Sequence, residues 1–125
     1  MTHAKRTEPV FDESVLSEIT SAAGIAPWEL LEMFRDDAQQ SVITIVENCT
    51  TDLELVNRLA HTLKSSAGSV GAMCVAQIAR ELEAATKATL PVIDTNASTT
   101  LCIELQQAFD EFLVLIESER ERLSA

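Results

Sequence analysis

The residue types that could do chemistry gather in one stretch, Arg58-Leu-Ala-His61-Thr-Leu-Lys64-Ser65-Ser66-Ala-Gly68. It reads as helix. Leu59, Leu63 and Ala67 recur at a four-residue spacing and form one apolar stripe. His61 lies two positions from Leu59 and two from Leu63, about 200° around a helix that turns ~100° per residue. Its ring therefore points away from the stripe. Its surface neighbours are Asn57, Arg58, Lys64, Ser65 and Gly68, which are polar, cationic or small. A neutral imidazole with one nitrogen engaged in a hydrogen bond is a good nucleophile at the other. Presenting that ring on a helix surface suits a reaction with an outside partner.

Positioning such a ring requires a rigid scaffold, and the composition favours helices. The chain has 125 residues, 46% hydrophobic, with few aromatics, no Tyr and three each of Gly and Pro. That suits one domain with one core. After a polar tail over residues 1–9, which also holds His3, apolar residues at helical spacing predict a short first helix over about 12–23, ended by Gly24. Pro27 opens a second helix with Leu30, Leu31, Phe34, Ala38, Val42, Ile45 and Cys49 on its stripe and Trp28 as a packing anchor. Thr51-Asp-Leu-Glu54 matches a capping box at the start of the third helix, and Gly68-Ser-Val-Gly71 reads as the turn that closes it. A fourth helix follows over about 72–88, with Ala76, Arg80, Glu83 and Lys87 on one face. After a connection broken by Pro91, the last helix runs over about 98–123. Long amphipathic helices with short connections predict an all-α fold: an antiparallel up-and-down four-helix bundle with an additional short N-terminal helix. The domain is expected to span residues 10–125.

A short turn makes the third and fourth helices antiparallel neighbours, so residues equidistant from it share a height. His61 then lies level with about Ala79 to Glu83. Arg58, Lys64, Arg80 and Lys87 gather around the histidine, four of the chain's nine Lys and Arg residues against a net charge of −11. Such clustering suits a dianion. Glu83 is placed to hold the Nδ1–H of His61 and leave Nε2 exposed to attack phosphorus. A phosphoryl group on Nε2 would carry close to two negative charges, and Lys64 one turn away could steady it. Ser65 and Gly68 are small enough for a partner's surface to come close.

Other chemistries fit poorly. The acidic balance opposes nucleic acid, whose binders need a basic face, and opposes an anionic membrane surface. No segment approaches the ~20 apolar residues of a membrane span. Cys49, Cys74 and Cys102 are odd in number, far apart and near apolar stripes, as for reduced thiols in a reducing cytosol. Zinc would need three or four ligands and a di-iron bundle Glu-x-x-His motifs. Ser65 and Ser66 lack the strained turn of a hydrolase nucleophile. No nucleotide loop or kinase motif is present. Neither metal nor cofactor is expected. A lone helical histidine is usually just solvated; here several features coincide within a few residues.

Ala60-His61-Thr62-Leu63-Lys64-Ser65-Ser66-Ala67, then Gly71-Ala72 and Leu82-Glu83, resembles the signature of histidine-containing phosphotransfer domains. Ser65 departs from it where Gly is most common. The resemblance implies a helical bundle that carries a phosphoryl group on the exposed histidine and passes it between aspartates of receiver domains, or from a kinase to a receiver, in two-component signalling. It implies His61 as phosphoacceptor, Lys64 as stabiliser of the phosphoryl group, Glu83 as the partner of the other ring nitrogen and Lys87 as a receiver contact. Arg58, Ser65, Gly68 and Arg80 complete the expected docking surface. Partners would be a response-regulator receiver domain and a sensor histidine kinase, with Mg²⁺ belonging to the receiver. The carrier would be a cytoplasmic monomer without ATPase or kinase activity of its own. A non-catalytic adaptor bundle and the phosphoacceptor module of a larger chemotaxis-type or hybrid kinase are the alternatives.

Overall fold

The computed structural model describes residues 7–125. His3 and the first six residues of the expected tail lie outside the described residues. Six helices are described: α1 (Glu13–Ala23), α2 (Pro27–Glu47), α3 (Leu53–Val70), α4 (Met73–Ala85), α5 (Thr95–Ser118) and α6 (Arg120–Ser124), and no strand occurs among the described residues. α2 to α5 form the bundle, with α3 against α2 and α4, and α5 against α4 and α2. α1 covers α2 and α3, and α6 folds over α2 and α5. Among the described residues no helix is long and apolar enough to cross a membrane.

Local chemistry sets the helix ends. The Asp12 carboxylate accepts from the Ser14 N–H at 3.1 Å and starts α1. Gly24, at φ 71°, ends it. Pro27 opens α2, where a missing N–H leaves no donor unpaired. At α3 the cap is Asp52, not Thr51: the Asp52 side chain accepts from the Leu55 N–H at 3.1 Å. α3 also runs through Gly68 to Val70, where the sequence suggested a turn. Val70 is buried, which keeps the last turn packed, and the reversal is made by Gly71 alone at φ 87°. The Ala72 N–H closes the helix on the Ala67 carbonyl at 2.9 Å.

α4 stops at Ala85, and the Thr86 hydroxyl just beyond it donates back to the Leu82 carbonyl at 2.8 Å. Lys87 therefore lies past the helix, not on its face with Arg80 and Glu83. Ala76, assigned to that polar face from the sequence, is buried. Asp94 caps α5 through the Asn96 and Ala97 N–H groups, so the helix begins three residues earlier than its apolar stripe suggested. It breaks at Glu119, and α6 turns back to bury Leu123.

One core joins the helices. Leu31, Val42, Ile45, Val56, Leu63, Ile78, Leu82, Leu105, Phe109, Phe112 and Ile116 are buried. Each large aliphatic or aromatic side chain contributes about 1.5–3 kcal/mol relative to an exposed one. Phe34 sits edge-on to Phe109 and Phe112, with centroids 6.4 and 5.6 Å apart, and so fixes α2 against α5. Trp28 is buried beneath the Arg120 guanidinium, 5.3 Å from its ring. Cys49, Cys74 and Cys102 form no disulfide among the described residues. Burial, aided by the neighbouring Cys49, pushes the Cys102 thiol up to about 12. It remains protonated and unreactive at neutral pH.

A histidine clamped between two helices

His61 sits in the middle of α3, on the side opposite the buried Leu63 and Ala67. Its side chain is 64% exposed. Small buried residues, Ala60 and Ala67 on α3 and Ala79 on α4, keep both helices thin where they meet. Glu83, in the last turn of α4, can therefore reach across. One carboxylate oxygen, Oε2, lies 2.6 Å from His61 Nδ1; the other, Oε1, accepts from Lys64 Nζ at 2.8 Å. Glu83 is only 19% exposed, so this carboxylate works partly screened from water.

The electrostatics follow from that geometry. The Lys64 hydrogen bond holds the Glu83 carboxyl below its ordinary 4.5; partial burial opposes this, and the His61 contact adds to it. Glu83 is therefore a firm anion at neutral pH. With the carboxylate accepting at Nδ1, the proton belongs on Nδ1 and the lone pair on Nε2.

The structure thus joins His61, Lys64 and Glu83. The remaining candidates surround them without bonding to them. Arg58 and Arg80 are exposed, as is Lys87 in the turn after α4. Among the described residues no ion pair or hydrogen bond engages their side chains, whereas Lys64 is already neutralised by Glu83. Ser65 is exposed, and its carbonyl accepts from the Ser69 hydroxyl at 2.9 Å. Gly68 is half-buried, and a Cβ built on it would meet nothing within 4 Å. The surface beside the ring is therefore open on the Gly68 side.

Two residues were not assigned a role from the sequence. Asn57 lies one turn before His61 on α3. Its Nδ2 donates to the Glu83 carbonyl at 2.8 Å and to the Thr86 hydroxyl at 3.2 Å. Asn is a poor residue for a helix interior, and its position four before the histidine was the available signal. Thr86 carried none, because its part depends on where α4 ends. Among the described residues no group of three or more His, Cys, Asp or Glu side chains could hold a metal ion.

No curated protein and no solved structure matches the chain. The family model of the Hpt domain matches residues 29–120, which takes in α3, α4, the exposed histidine and most of the bundle. The chain belongs to the Hpt domain family, whose function class is histidine phosphotransfer in two-component signalling.

Proposed function

We propose that this chain is a phosphorelay intermediate that carries the phosphoryl group on Nε2 of His61. The observation that carries the reading is the 2.6 Å contact of Glu83 Oε2 with Nδ1 of an otherwise exposed ring. It favours the tautomer that leaves Nε2 as the nucleophile.

In the accepting step, Nε2 attacks the phosphorus of an aspartyl phosphate on a receiver domain. The N–P bond forms as the P–O bond to the aspartate breaks, and the carboxylate leaves with its electron pair. The ring becomes an imidazolium bearing the phosphoryl group, and the Glu83 carboxylate at Nδ1–H stabilises that charge. In the donating step an aspartate oxygen of the next receiver attacks the same phosphorus, and neutral imidazole departs. A kinase phosphohistidine could supply the group in place of the first receiver. Lys64 gives one N–H to Glu83 and has two others to offer the phosphoryl oxygens. Mg²⁺ belongs to the receiver.

Ser65 and the open surface at Gly68 admit the partner, while Arg58, Arg80 and Lys87, exposed on an acidic protein, meet its acidic aspartate site. The carrier acts in the cytoplasm and as a monomer, the latter supported by a core completed within one chain. Incubation with a phosphorylated cognate receiver should give an acid-labile, base-stable label on the wild type and none on His61→Gln. A label that persists on His61→Gln would sink the reading.

A further inference from the structure

We infer that Asn57 is a positioning residue for phosphoryl transfer, acting through Glu83. The inference rests on the proposed role of His61. Glu83 lies in the last turn of α4, where a carbonyl lacks its usual N–H partner four residues on. The Thr86 N–H reaches that carbonyl only at 3.3 Å. Asn57 supplies the better donor from another helix, at 2.8 Å. The same amide donates to the Thr86 hydroxyl, which is 2% exposed and in turn donates to the Leu82 carbonyl. Asn57 thus caps α4 from α3.

The consequence concerns one residue held from both sides. The main chain of Glu83 is tied to α3 through Asn57, and its carboxylate is tied to α3 through His61 and Lys64. His61 and Asn57 are one helical turn apart, so the two ties act as a brace along α3. Without the lower tie the end of α4 frays, the carboxylate gains freedom, and the ring loses the partner that orients it. Sub-ångström placement matters here, since a displacement near 1 Å can cost on the order of 100-fold in rate.

The test is a double-mutant cycle with Glu83. Asn57→Ala, and Asn57→Asp, which keeps the shape but loses the donor, should each slow transfer to a receiver by about 10-fold in a folded bundle. The downfield Nδ1–H signal of His61 should broaden or shift in both. In a Glu83→Ala background, where no side chain is left to orient the ring, Asn57→Ala should add no more than about twofold. As a control, Asn48→Ala loses its bonds to the Thr44 carbonyl and the Thr51 hydroxyl at the end of α2 and should leave the rate unchanged. A full 10-fold loss in the Glu83→Ala background, or an unaltered ring signal in Asn57→Ala, would overturn the inference. A measurement on the wild type stands beside the variants: coupling across the hydrogen bond from Asn57 Nδ2–H to the Glu83 carbonyl should be detectable, and its absence also overturns the inference. If the wild type takes no phosphate, the proposed function fails, while the ring signal and the coupling still decide the role of Asn57.

Discussion

Two glutamates bridge helices in this molecule, and they do it differently. Glu13 on α1 gives both carboxylate oxygens to one guanidinium, Arg122 of α6, at 2.7 and 2.8 Å. Glu83 divides its oxygens between an ammonium and an imidazole. Both carboxyls are held below the ordinary 4.5, Glu13 chiefly by its Arg122 hydrogen bonds and Glu83 chiefly by Lys64. Glu119 also bonds Arg122, so that guanidinium is committed to carboxylates, and its pKa is raised chiefly by Glu13. The first arrangement is closed: a bidentate pair that staples the chain's last helix to its first. The second is open. It leaves Nε2 of His61 and two N–H bonds of Lys64 for an incoming group. Ion-pair chemistry alone therefore does not mark a site; unspent bonding capacity does.

The sharpest way to break this comparison is to remove each glutamate. Glu83→Ala should lower the transfer rate by on the order of 100-fold, the scale of losing one preorganised electrostatic partner. Glu13→Ala should leave the rate within about twofold, since exposed ion pairs contribute little and touch nothing in the site. Equal losses in the two variants would erase the distinction. Lys64→Ala should slow transfer by about 10-fold, or ~1.4 kcal/mol of barrier, with the helical signal kept and the melting temperature only slightly lowered. A collapsed fold in that variant would make Lys64 a structural staple like Arg122.

Acid should sharpen the contrast. Each carboxyl has a folded-state value below its unfolded one, so its contribution to stability is complete above pH 4.5 and is lost as pH falls through the folded-state value. Glu83→Gln and Glu13→Gln should each flatten the stability profile below pH 4.5 in chemical denaturation. Only Glu83→Gln should also alter the His61 ring signals. The smallest expected effect concerns Gly68. Gly68→Ala should stabilise the helix by about 0.5–1 kcal/mol, because its Cβ meets nothing. Any slowing of transfer in that variant would measure how closely the partner approaches.

The bundle was legible in the sequence because its signals are local. Helical spacing of apolar residues gave the element order, and Gly24, Pro27 and Gly71 marked three of the ends. The adjacency of His61 and Glu83 followed from counting residues away from one tight turn. What escaped depends on contacts between distant residues. Gly68 looked like part of a turn because Gly disfavours helix, yet the buried Val70 carries α3 past it. The break at Glu119 goes with a contact of Arg122 to Glu13, 109 positions away. Lys87 was placed on α4 because nothing local shows where that helix ends; the Asn57 amide of another helix takes the Glu83 carbonyl there. Asn57 was seen only as a neighbour of His61, since its partners lie 26 and 29 positions on.

The segment before α1 bears on the site in a mechanical sense. The Pro9 carbonyl accepts from the Cys74 N–H at 2.9 Å, and the Asp12 N–H donates to the Gly71 carbonyl at 2.8 Å. A Cβ on Gly71 would meet the Asp12 carbonyl oxygen well inside contact distance. α4 is therefore a short rod with both ends anchored, by this strap at its start and by Asn57 at its finish. A slip of one residue along α3 is ~1.5 Å, more than a 2.6 Å hydrogen bond tolerates, and a rod held at both ends does not slide. The strap lies before residues 29–120, the span that the family model matches, so part of the stiffness of the candidate site comes from outside that span.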